Sequence, residues 1–138
     1  MGSYTKPIPE PDRVTTPFWE AAKQGRLLIQ RCTNCGAVQF YPQTSCRRCL
    51  SDGLEWVDAK GKGTIYSYTV IHRAPSRSFE PDVPYTVALV DLDEGCRMMS
   101  NIVEVSPEAV RVGMSVEVVF DDITAEITLP RFRPAPAG

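Results

Sequence analysis

The amino-acid sequence predicts a mainly β protein in which a short N-terminal helix precedes two β modules. Two features of the chain support this fold class. Two Cys-x-x-Cys pairs are separated by ten residues in the first half of the chain, a spacing typical of a small metal-held module. From residue 64 onward, five segments show the period-two pattern and the β-branched and aromatic residues of β-strands. The combination indicates a metal-binding ribbon followed by a small barrel.

The composition is that of an ordinary globular protein. The chain has 138 residues, of which 43% are hydrophobic, and this length allows one ordinary domain or two small ones. No apolar run approaches the roughly 18 residues of a membrane-spanning helix. The N-terminus also lacks the pattern of a signal peptide. We therefore expect a cytoplasmic protein that does not associate with membranes.

Residues 1–26 are predicted to be an arm and a short helix. Proline recurs through the first eleven residues without apolar periodicity, which favours an extended arm. Thr16 is predicted as the N-cap, Pro17 as the first helical residue and Gly25 as the residue that ends the helix. The large apolar residues of this helix, which either pack in the core or contact a partner protein, are Phe18 and Trp19.

Residues 27–60 are predicted to form a zinc ribbon with one zinc ion per chain. The two pairs are Cys32 with Cys35 and Cys46 with Cys49. Two such turns facing each other across a hairpin complete a closed shell of four thiolates about 2.3 Å from the ion. Because a catalytic zinc keeps one coordination position open, the closed shell indicates a structural ion. A redox dithiol or disulfides would need a thioredoxin-like context or an oxidising compartment, and the sequence shows neither.

Three arginines lie beside the cysteine pairs, and one cysteine lies apart from them. Arg31, Arg47 and Arg48 either neutralise part of the negative charge of the zinc site or form an anion-binding rim, and both interpretations stay open. Cys96 lies outside any ligand spacing. We expect it to be a buried residue that behaves as a small apolar side chain.

Residues 61–138 are predicted to form a five-stranded OB-type barrel and a C-terminal tail. One helical turn at 106–110 precedes the fourth strand, which favours the OB type, and a sandwich of two sheets is the alternative. The loop 74–84 joins the first two strands and would border the ligand face of such a barrel. The predicted strands are Thr64–His72, Tyr85–Leu92, Arg97–Val105, Ser115–Phe120 and Ala125–Phe132.

The sequence offers no catalytic constellation. His72 is the one histidine, so neither a Ser-His-Asp nor a Cys-His arrangement can form within this chain. We expect it to be half-buried on its strand. Asp91, Asp93 and Glu94 precede Gly95 and are interpreted as a hairpin turn rather than as acid and base.

A nucleic-acid-binding module is the alternative function. Zinc ribbons and OB barrels recur in such proteins, and strand aromatics can stack on bases. The chain has 17 acidic against 15 basic residues and a formal net charge of −2. A binder of phosphate backbones normally carries a basic stripe, so the charge argues against nucleic acid.

Six separated motifs follow one another along the chain: Phe18-Trp19-Glu20-Ala21 with Gly25, Leu28 to Gly36, Gly61 to Val70, Val83-Pro84-Tyr85, Val90 to Gly95, and Gly113 to Val116. In this order they resemble the acyl-CoA-associated proteins that combine a rubredoxin-like zinc ribbon with an OB fold. The resemblance covers nearly everything from Phe18 to Phe132. Within the second cysteine pair, Arg47 stands where that family often carries proline, a difference that leaves the ligands unaffected.

The resemblance implies a non-catalytic accessory subunit that acts with a thiolase-like enzyme, such as a thiolase, an acyltransferase or a retro-aldolase. The partner would carry the catalytic residues, while this chain would dock on it and help hold the acyl-CoA substrate. Phe18 and Trp19 would contact the partner, and Tyr85 would contact the adenine or pantetheine of coenzyme A. The cations expected near one end of the barrel, which either meet the CoA phosphates or are solvated surface charges, are Lys60, Lys62, Arg73 and Arg77.

Overall fold

One α-helix precedes eight β-strands in the part of the chain that a computed structural model describes, namely residue 6 and residues 8–135. Residues 1–5 and 7 of the predicted arm and residues 136–138 of the predicted tail lie outside the described residues. The elements are α1 (Thr16–Lys23), β1 (Leu27–Cys32), β2 (Val38–Gln39), β3 (Leu54–Ala59), β4 (Lys62–Ile71), β5 (Tyr85–Leu92), β6 (Arg97–Ile102), β7 (Ser115–Asp122) and β8 (Thr128–Pro134). Short 3-10 helices follow β4 and β6, at Arg77–Asp82 and Pro107–Ala109. Within the described residues, no helix has the length and apolar character needed to cross a membrane.

Helix α1 is capped one residue earlier than the sequence predicted. Thr15 occupies the N-cap position, so Thr16 and Pro17 are the first and second helical residues. The reason is a preceding turn, in which the Asp12 carboxylate accepts the Thr15 N–H at 2.8 Å and the Asp12 carbonyl accepts the Thr16 N–H at 2.9 Å. Gly25 ends the helix as expected, with a φ of +77°. Glycine adopts this left-handed conformation without a steric penalty, which is why it commonly follows a helix.

The zinc-ribbon half contains a three-stranded antiparallel sheet in the order β2-β1-β3. The central strand β1 pairs along its whole length with β3, from Leu27 opposite Ala59 to Cys32 opposite Leu54. The two-residue strand β2 pairs with β1 next to the first cysteine pair. Because Leu27 and Ile29 are only 1% and 0% exposed, β1 also anchors the ribbon to the apolar core.

The second half is a closed barrel of five strands in the order β4-β5-β6-β8-β7. This order confirms the OB-type fold and excludes the sandwich. The strands are antiparallel except for β6 and β8, which run parallel where Ile102 lies opposite Phe132. Strand β4 closes the barrel because it pairs with β5 along its length and with β7 at its beginning.

Strands β6 and β8 are each shortened at one end relative to the prediction, because turns replace extended chain there. Strand β6 ends at Ile102 rather than Val105, and Glu104 just beyond it has a φ of +62°. Strand β8 begins at Thr128 rather than at residue 125. There the Ile123 N–H donates to the Ile127 carbonyl at 3.0 Å and forms the turn that joins β7 to β8.

Helix α1 lies between the two β modules. It packs against β1 of the ribbon and against β7 and β8 of the barrel, so one apolar core extends through both modules. Phe18 is 2% and Trp19 is 9% exposed, and their rings meet edge to face with centroids 4.9 Å apart. Core packing is therefore what the structure shows for this pair. The chain passes from the ribbon sheet to the barrel between Ala59 and Lys62, while the division into separate domains at residue 60 stays a prediction.

Candidate metal centre and neighbouring surfaces

The two cysteine pairs lie on two turns of the same shape. We call them the first knuckle, Cys32–Gly36, and the second knuckle, Cys46–Leu50. In each knuckle the N–H of the fifth residue donates to the carbonyl of the first at 2.9 Å. The N–H of the third residue lies 3.4 Å from the leading Sγ in the first knuckle and 3.3 Å in the second. Both turns therefore present sulfur atoms whose negative charge is stabilised by backbone donors.

The four sulfur atoms converge on one point. All four Sγ atoms lie within 4.8 Å of one another, with Cys32 3.5 Å from Cys49 and Cys35 3.7 Å from Cys46. A tetrahedral zinc ion with Zn–S bonds of about 2.3 Å holds its sulfurs about 3.8 Å apart. The four cysteines therefore fit one zinc ion. Such an ion would stabilise the fold, and four sulfur ligands would leave no position for a substrate.

The electrostatics of the sulfurs favour a cation at their centre. The side-chain amide of Asn34 is the main cause that lowers the pKa of Cys49 to about 6, and the Cys49 N–H likewise lowers the pKa of Cys46. The Ala37 N–H lowers the pKa of Cys35, but loss of hydration and the neighbouring sulfurs outweigh it and raise that pKa to about 11. Sulfurs this close do not all lose their protons unless a cation neutralises them, which couples metal binding to proton release.

Two buried glutamines that no sequence pattern singled out support the second knuckle. Gln30 and Gln39 are 4% and 6% exposed and lie opposite each other on β1 and β2. The Gln39 side chain accepts the Arg47 N–H at 3.0 Å and donates to the Ser45 carbonyl at 3.3 Å and to Gln30 at 2.9 Å. Gln30 in turn bonds both backbone groups of Gln43, at 2.8 and 2.9 Å. The pair fixes residues 43–47 to the sheet that carries the first knuckle.

The three arginines beside the cysteines have different surroundings. Arg31 pairs with Glu55 at 3.0 Å across β1 and β3, so a carboxylate meets its charge. Arg47 and Arg48 are exposed on the second knuckle. Among the described residues no carboxylate pairs with either of them, and the interpretations as electrostatic support or anion rim apply to these two.

Cys96 lies apart from the metal centre as expected. It is 7% exposed and precedes β6. Burial, with a smaller contribution from the charge of Glu94, raises the pKa of its thiol to about 11. A neutral buried thiol behaves as a small apolar side chain.

The cations predicted to meet CoA phosphates do not lie together. Strand β4 is a continuous ten-residue strand from Lys62 to Ile71, and such a strand extends roughly 30 Å. Lys60 and Lys62 lie at its beginning, whereas Arg73 and Arg77 lie beyond its end. The expectation that all four cations share one end of the barrel is therefore wrong, because the length of the first barrel strand separates them.

Tyr85 lies at the same end as Arg73 and lines a cavity of about 720 Å³ on the barrel. It begins β5 opposite Ile71, and its ring stacks on Phe79 of the first 3-10 helix with centroids 5.9 Å apart. Arg131 also lines this cavity, where it donates to Asn101 at 2.8 Å. None of the four predicted cations belongs to the lining.

A second cavity, of about 440 Å³, lies where the helix, the ribbon and the barrel meet. We call it the junction groove. Phe18 and Trp19 form part of its wall, so these predicted partner contacts lie beneath a surface groove rather than on an exposed helix face. The ribbon contributes Tyr41 and Arg47, and the barrel contributes Met99 among others. Both predicted partner residues therefore border this groove within the described part of the chain.

Two other predictions concern His72 and the carboxylates near Gly95, which lie at or beyond strand ends. His72 lies beyond the end of β4 and is exposed, so the expectation of a half-buried strand residue is wrong. Residues 93–95 form the turn between β5 and β6. Asp91 pairs with Arg97 at 2.5 Å, and Glu94 accepts the Lys60 N–H at 2.8 Å. These carboxylates hold structure, as the turn interpretation required.

Fold and site together define a protein that joins a four-cysteine zinc ribbon to an OB barrel. Residues 19–55 match the family model described as the rubredoxin-like zinc ribbon domain of ChsH2, and residues 56–121 match the C-terminal OB-fold domain of ChsH2. The adjacent matches cover more than half of the chain. The chain belongs to the ChsH2 zinc-ribbon and OB-fold family, which confirms the resemblance seen in its motifs.

Curated relatives carry names that refer to subunits and scaffolds. The chain is 42% identical over 130 residues to a "Probable enoyl-CoA hydratase alpha subunit" from Thermomonospora curvata, and the match covers 94% of this chain but 40% of that protein. It is 40% identical over 111 residues to a "DUF35 domain-containing scaffold protein" from Methanocaldococcus jannaschii, covering 79% and 78%. A more distant match, 29% identical over 104 residues and covering 72% and 68%, is "Benzoylsuccinyl-CoA thiolase subunit BbsA" from Thauera aromatica.

One solved structure is similar over nearly its whole length. A chain of the "Ltp2-ChsH2(DUF35) aldolase" superposes with a TM-score of 0.81 at 42% identity, and the match covers 92% of this chain and 98% of that chain. The described fold thus corresponds to nearly all of the matched chain in that structure. The same fold spans less than half of the hydratase alpha subunit.

Proposed function

We propose that this protein is a non-catalytic accessory subunit that binds a thiolase-like enzyme and helps hold its acyl-CoA substrate. The observation that carries the proposal is the match to a chain of the Ltp2-ChsH2 aldolase, with a TM-score of 0.81 over 98% of that chain. Because the ribbon and the barrel match the ChsH2 family models, we take the matched chain to be the ChsH2 component of that complex. A closed sulfur shell supports the same interpretation, because it leaves the zinc without a reactive position.

The names of the relatives support both halves of the proposal. One relative is named a scaffold protein and another a thiolase subunit, which supports the accessory role. Two of the names refer to enzymes that act on coenzyme A thioesters, which supports the acyl-CoA substrate. In this proposal the accessory subunit contributes a binding surface, and its partner contributes the catalytic residues. The free cysteines favour a reducing compartment. We therefore place the proposed function in the cytoplasm.

The CoA contact that we propose lies at the Arg73 end of the barrel. Arg73 precedes the loop 74–84, Arg77 lies within it and Tyr85 follows it, so all three lie beyond the same end of β4. Two guanidinium groups match phosphate oxygens in charge and geometry. Lys60 and Lys62 lie roughly 30 Å of strand away, so we leave them out of this contact and use them as its control.

The accessory role is tested by co-expression with a thiolase-like enzyme from the same source. We expect the two chains to purify together, and we expect thiolase, aldolase or hydrolase turnover of acyl-CoA only in the complex. Size-exclusion chromatography and a CoA-release assay give both readouts. Turnover by the isolated chain after removal of contaminating enzyme would contradict the proposal, as would failure of every thiolase-like candidate to associate.

The CoA contact is tested by titration with an acyl-CoA and with a single-stranded oligonucleotide. We expect weak acyl-CoA binding that strengthens when the partner is present, because a shared site excludes water only when both walls are in place. Replacing Arg73 and Arg77 together by Glu should reduce this binding, whereas the same change at Lys60 and Lys62 should not. The oligonucleotide should show no salt-sensitive binding. Tight oligonucleotide binding without an acyl-CoA effect would favour the nucleic-acid alternative.

A further inference from the structure

We infer that the junction groove is the docking site for an apolar segment of the partner enzyme that carries an acidic side chain. The inference rests on the proposed accessory function and adds the surface, the kind of segment and the residue that pairs with it. Three properties of the groove lead to it: its apolar walls, its charge and its place at the meeting of three elements.

The walls and the rim of the groove have the composition of a protein interface. Phe18 and Trp19 line its floor next to the largely buried Met98. Met99 is 65% exposed and Tyr41 is 45% exposed, and both also line the groove. Methionine and aromatic residues are enriched at interfaces, and a flexible thioether adapts to the shape of a docked segment. Large apolar side chains left this exposed around a cavity mark an interaction surface.

The charge of the groove selects an acidic segment. The described residues that line it include two arginines and no carboxylate, although the chain as a whole has a formal net charge of −2. Arg97 is already paired with Asp91 at 2.5 Å and lies over Tyr66 at 3.5 Å. Arg47 bonds the Tyr41 carbonyl at 3.5 Å, and within the described chain no carboxylate meets its charge. Arg47 is therefore the cation that a carboxylate of the partner would pair with.

The groove lies where the helix, the ribbon and the barrel meet, so a docked segment would contact all three. Its lining residues come from α1, from the ribbon beside the second knuckle and from β6 and β8 of the barrel. The Trp19 indole N–H in this wall has no acceptor among the described residues, and an unpaired buried donor is rare in folded proteins. A docked segment that brings a backbone carbonyl to this wall would satisfy the donor after a small shift of the ring.

The first experiment measures the affinity of the co-purified thiolase-like subunit for matched variants of this chain. Met99→Asp lies in the groove, and Val112→Asp changes a residue of equal exposure, 64% against 65%, that does not line it. Arg47→Glu lies in the groove, and Arg48→Glu makes the same charge change on the same knuckle outside it. We expect the groove variants to bind at least about tenfold more weakly and the controls to change less than about twofold. All four should retain one zinc per chain.

The second experiment identifies the docked segment. A photoreactive phenylalanine analogue at position 99, activated in the complex, should cross-link the partner, and mass spectrometry of the cross-linked peptide should reveal apolar residues with Asp or Glu within a few positions. The same analogue at position 112 should give little product. Cross-linking to a second copy of this chain, or to a segment without a carboxylate, would overturn the inferred occupant.

The outcomes separate this inference from the function on which it rests. If the wild-type chain forms the complex and all four variants bind equally, the groove is not the docking site and the accessory role stands. If the wild-type chain forms no complex with any thiolase-like enzyme, both fail together. Weakening confined to Met99→Asp and Arg47→Glu, with a position-99 cross-link to an acidic apolar segment, supports the docking site and the charge pair.

Discussion

The two knuckles have the same shape but are held in place by different means. The first is carried by β1 and β2, whose backbone hydrogen bonds fix both of its ends. The second lies in the segment between β2 and β3, which has no strand of its own. Its position depends on the buried side chains of Gln39 and Gln30, which bond residues 43 to 47. A repeated motif in the sequence is thus supported by backbone in one copy and by side chains in the other.

The knuckles also differ at their fifth residue. Gly36 has a φ of +78° and Leu50 has a φ of +66°, so both occupy the left-handed conformation that the turn requires. Glycine adopts it freely, whereas a side chain with a Cβ incurs a steric cost of about 1–2 kcal/mol. The second knuckle therefore combines weaker support with backbone strain. The zinc ion must contribute more to fixing its position than it contributes to the first knuckle.

The largest effect should follow from removing a ligand of either knuckle. Cys32→Ser and Cys46→Ser should each lose the zinc and unfold the ribbon, because metal binding supplies roughly 10–16 kcal/mol of apparent stabilisation to small zinc modules. Metal analysis and circular dichroism measure the two consequences. Cys96→Ser is the control and should keep one zinc per chain. Stoichiometric zinc in Cys32→Ser would disprove the ligand assignment.

The next largest effect should appear when the side-chain support of the second knuckle is removed. Gln39→Met keeps the approximate size of the side chain but leaves the Arg47 N–H and the Ser45 carbonyl without their partner, so we expect a loss of about 2–3 kcal/mol in the free energy of unfolding. Zinc should also transfer to a chelator faster. Urea unfolding at fixed zinc concentration measures the first quantity. Gln43→Met, which changes an exposed side chain, should lie within about 0.5 kcal/mol of wild type, and equal losses in both would refute the assigned role of Gln39.

The fold was predictable because its strongest signals are local. The spacing of the cysteines and the positive-φ residue after the first pair specify the ribbon. The alternation of β-branched and aromatic residues specifies the barrel strands. Strand ends such as Ile102 were less predictable, because a single left-handed residue at Glu104 ends the extended chain where nothing in the pattern changes.

The surroundings of the site were less predictable because they depend on contacts between distant segments. Gln30 and Gln39 are nine positions apart in sequence and become one buried pair only when β1 and β2 align. Their signal was two polar residues on strands that otherwise bury apolar ones, and sequence alone does not distinguish such residues from exposed ones. The prediction that four cations cluster to bind CoA was wrong for the opposite reason. Nearness along the chain suggested a cluster, and a continuous β4 separated them.

A smaller effect is expected from changing the fifth residue of the first knuckle. Gly36→Ala should cost about 0.5–1 kcal/mol, because the steric cost of the left-handed conformation is partly offset by the lower conformational entropy of the unfolded chain. Apart from the two neighbouring residues, no described residue has an atom within 4 Å of the position that the new Cβ would occupy. Urea unfolding at saturating zinc measures it, and zinc stoichiometry should not change. A loss well above this range would mean that the first knuckle is packed more tightly than its open surroundings indicate.

The smallest effect should be a gain of stability in the second knuckle. Leu50→Gly removes the steric cost of a left-handed residue with a Cβ and adds conformational entropy to the unfolded chain, and the balance should be a gain of about 0.5 kcal/mol. Little packing is lost, since Leu50 is 77% exposed. Leu50→Ala is the matched control, because it shortens the same side chain but keeps the Cβ, so it should show no gain. If the glycine variant is no more stable than the alanine variant, backbone strain at Leu50 does not account for the difference between the knuckles.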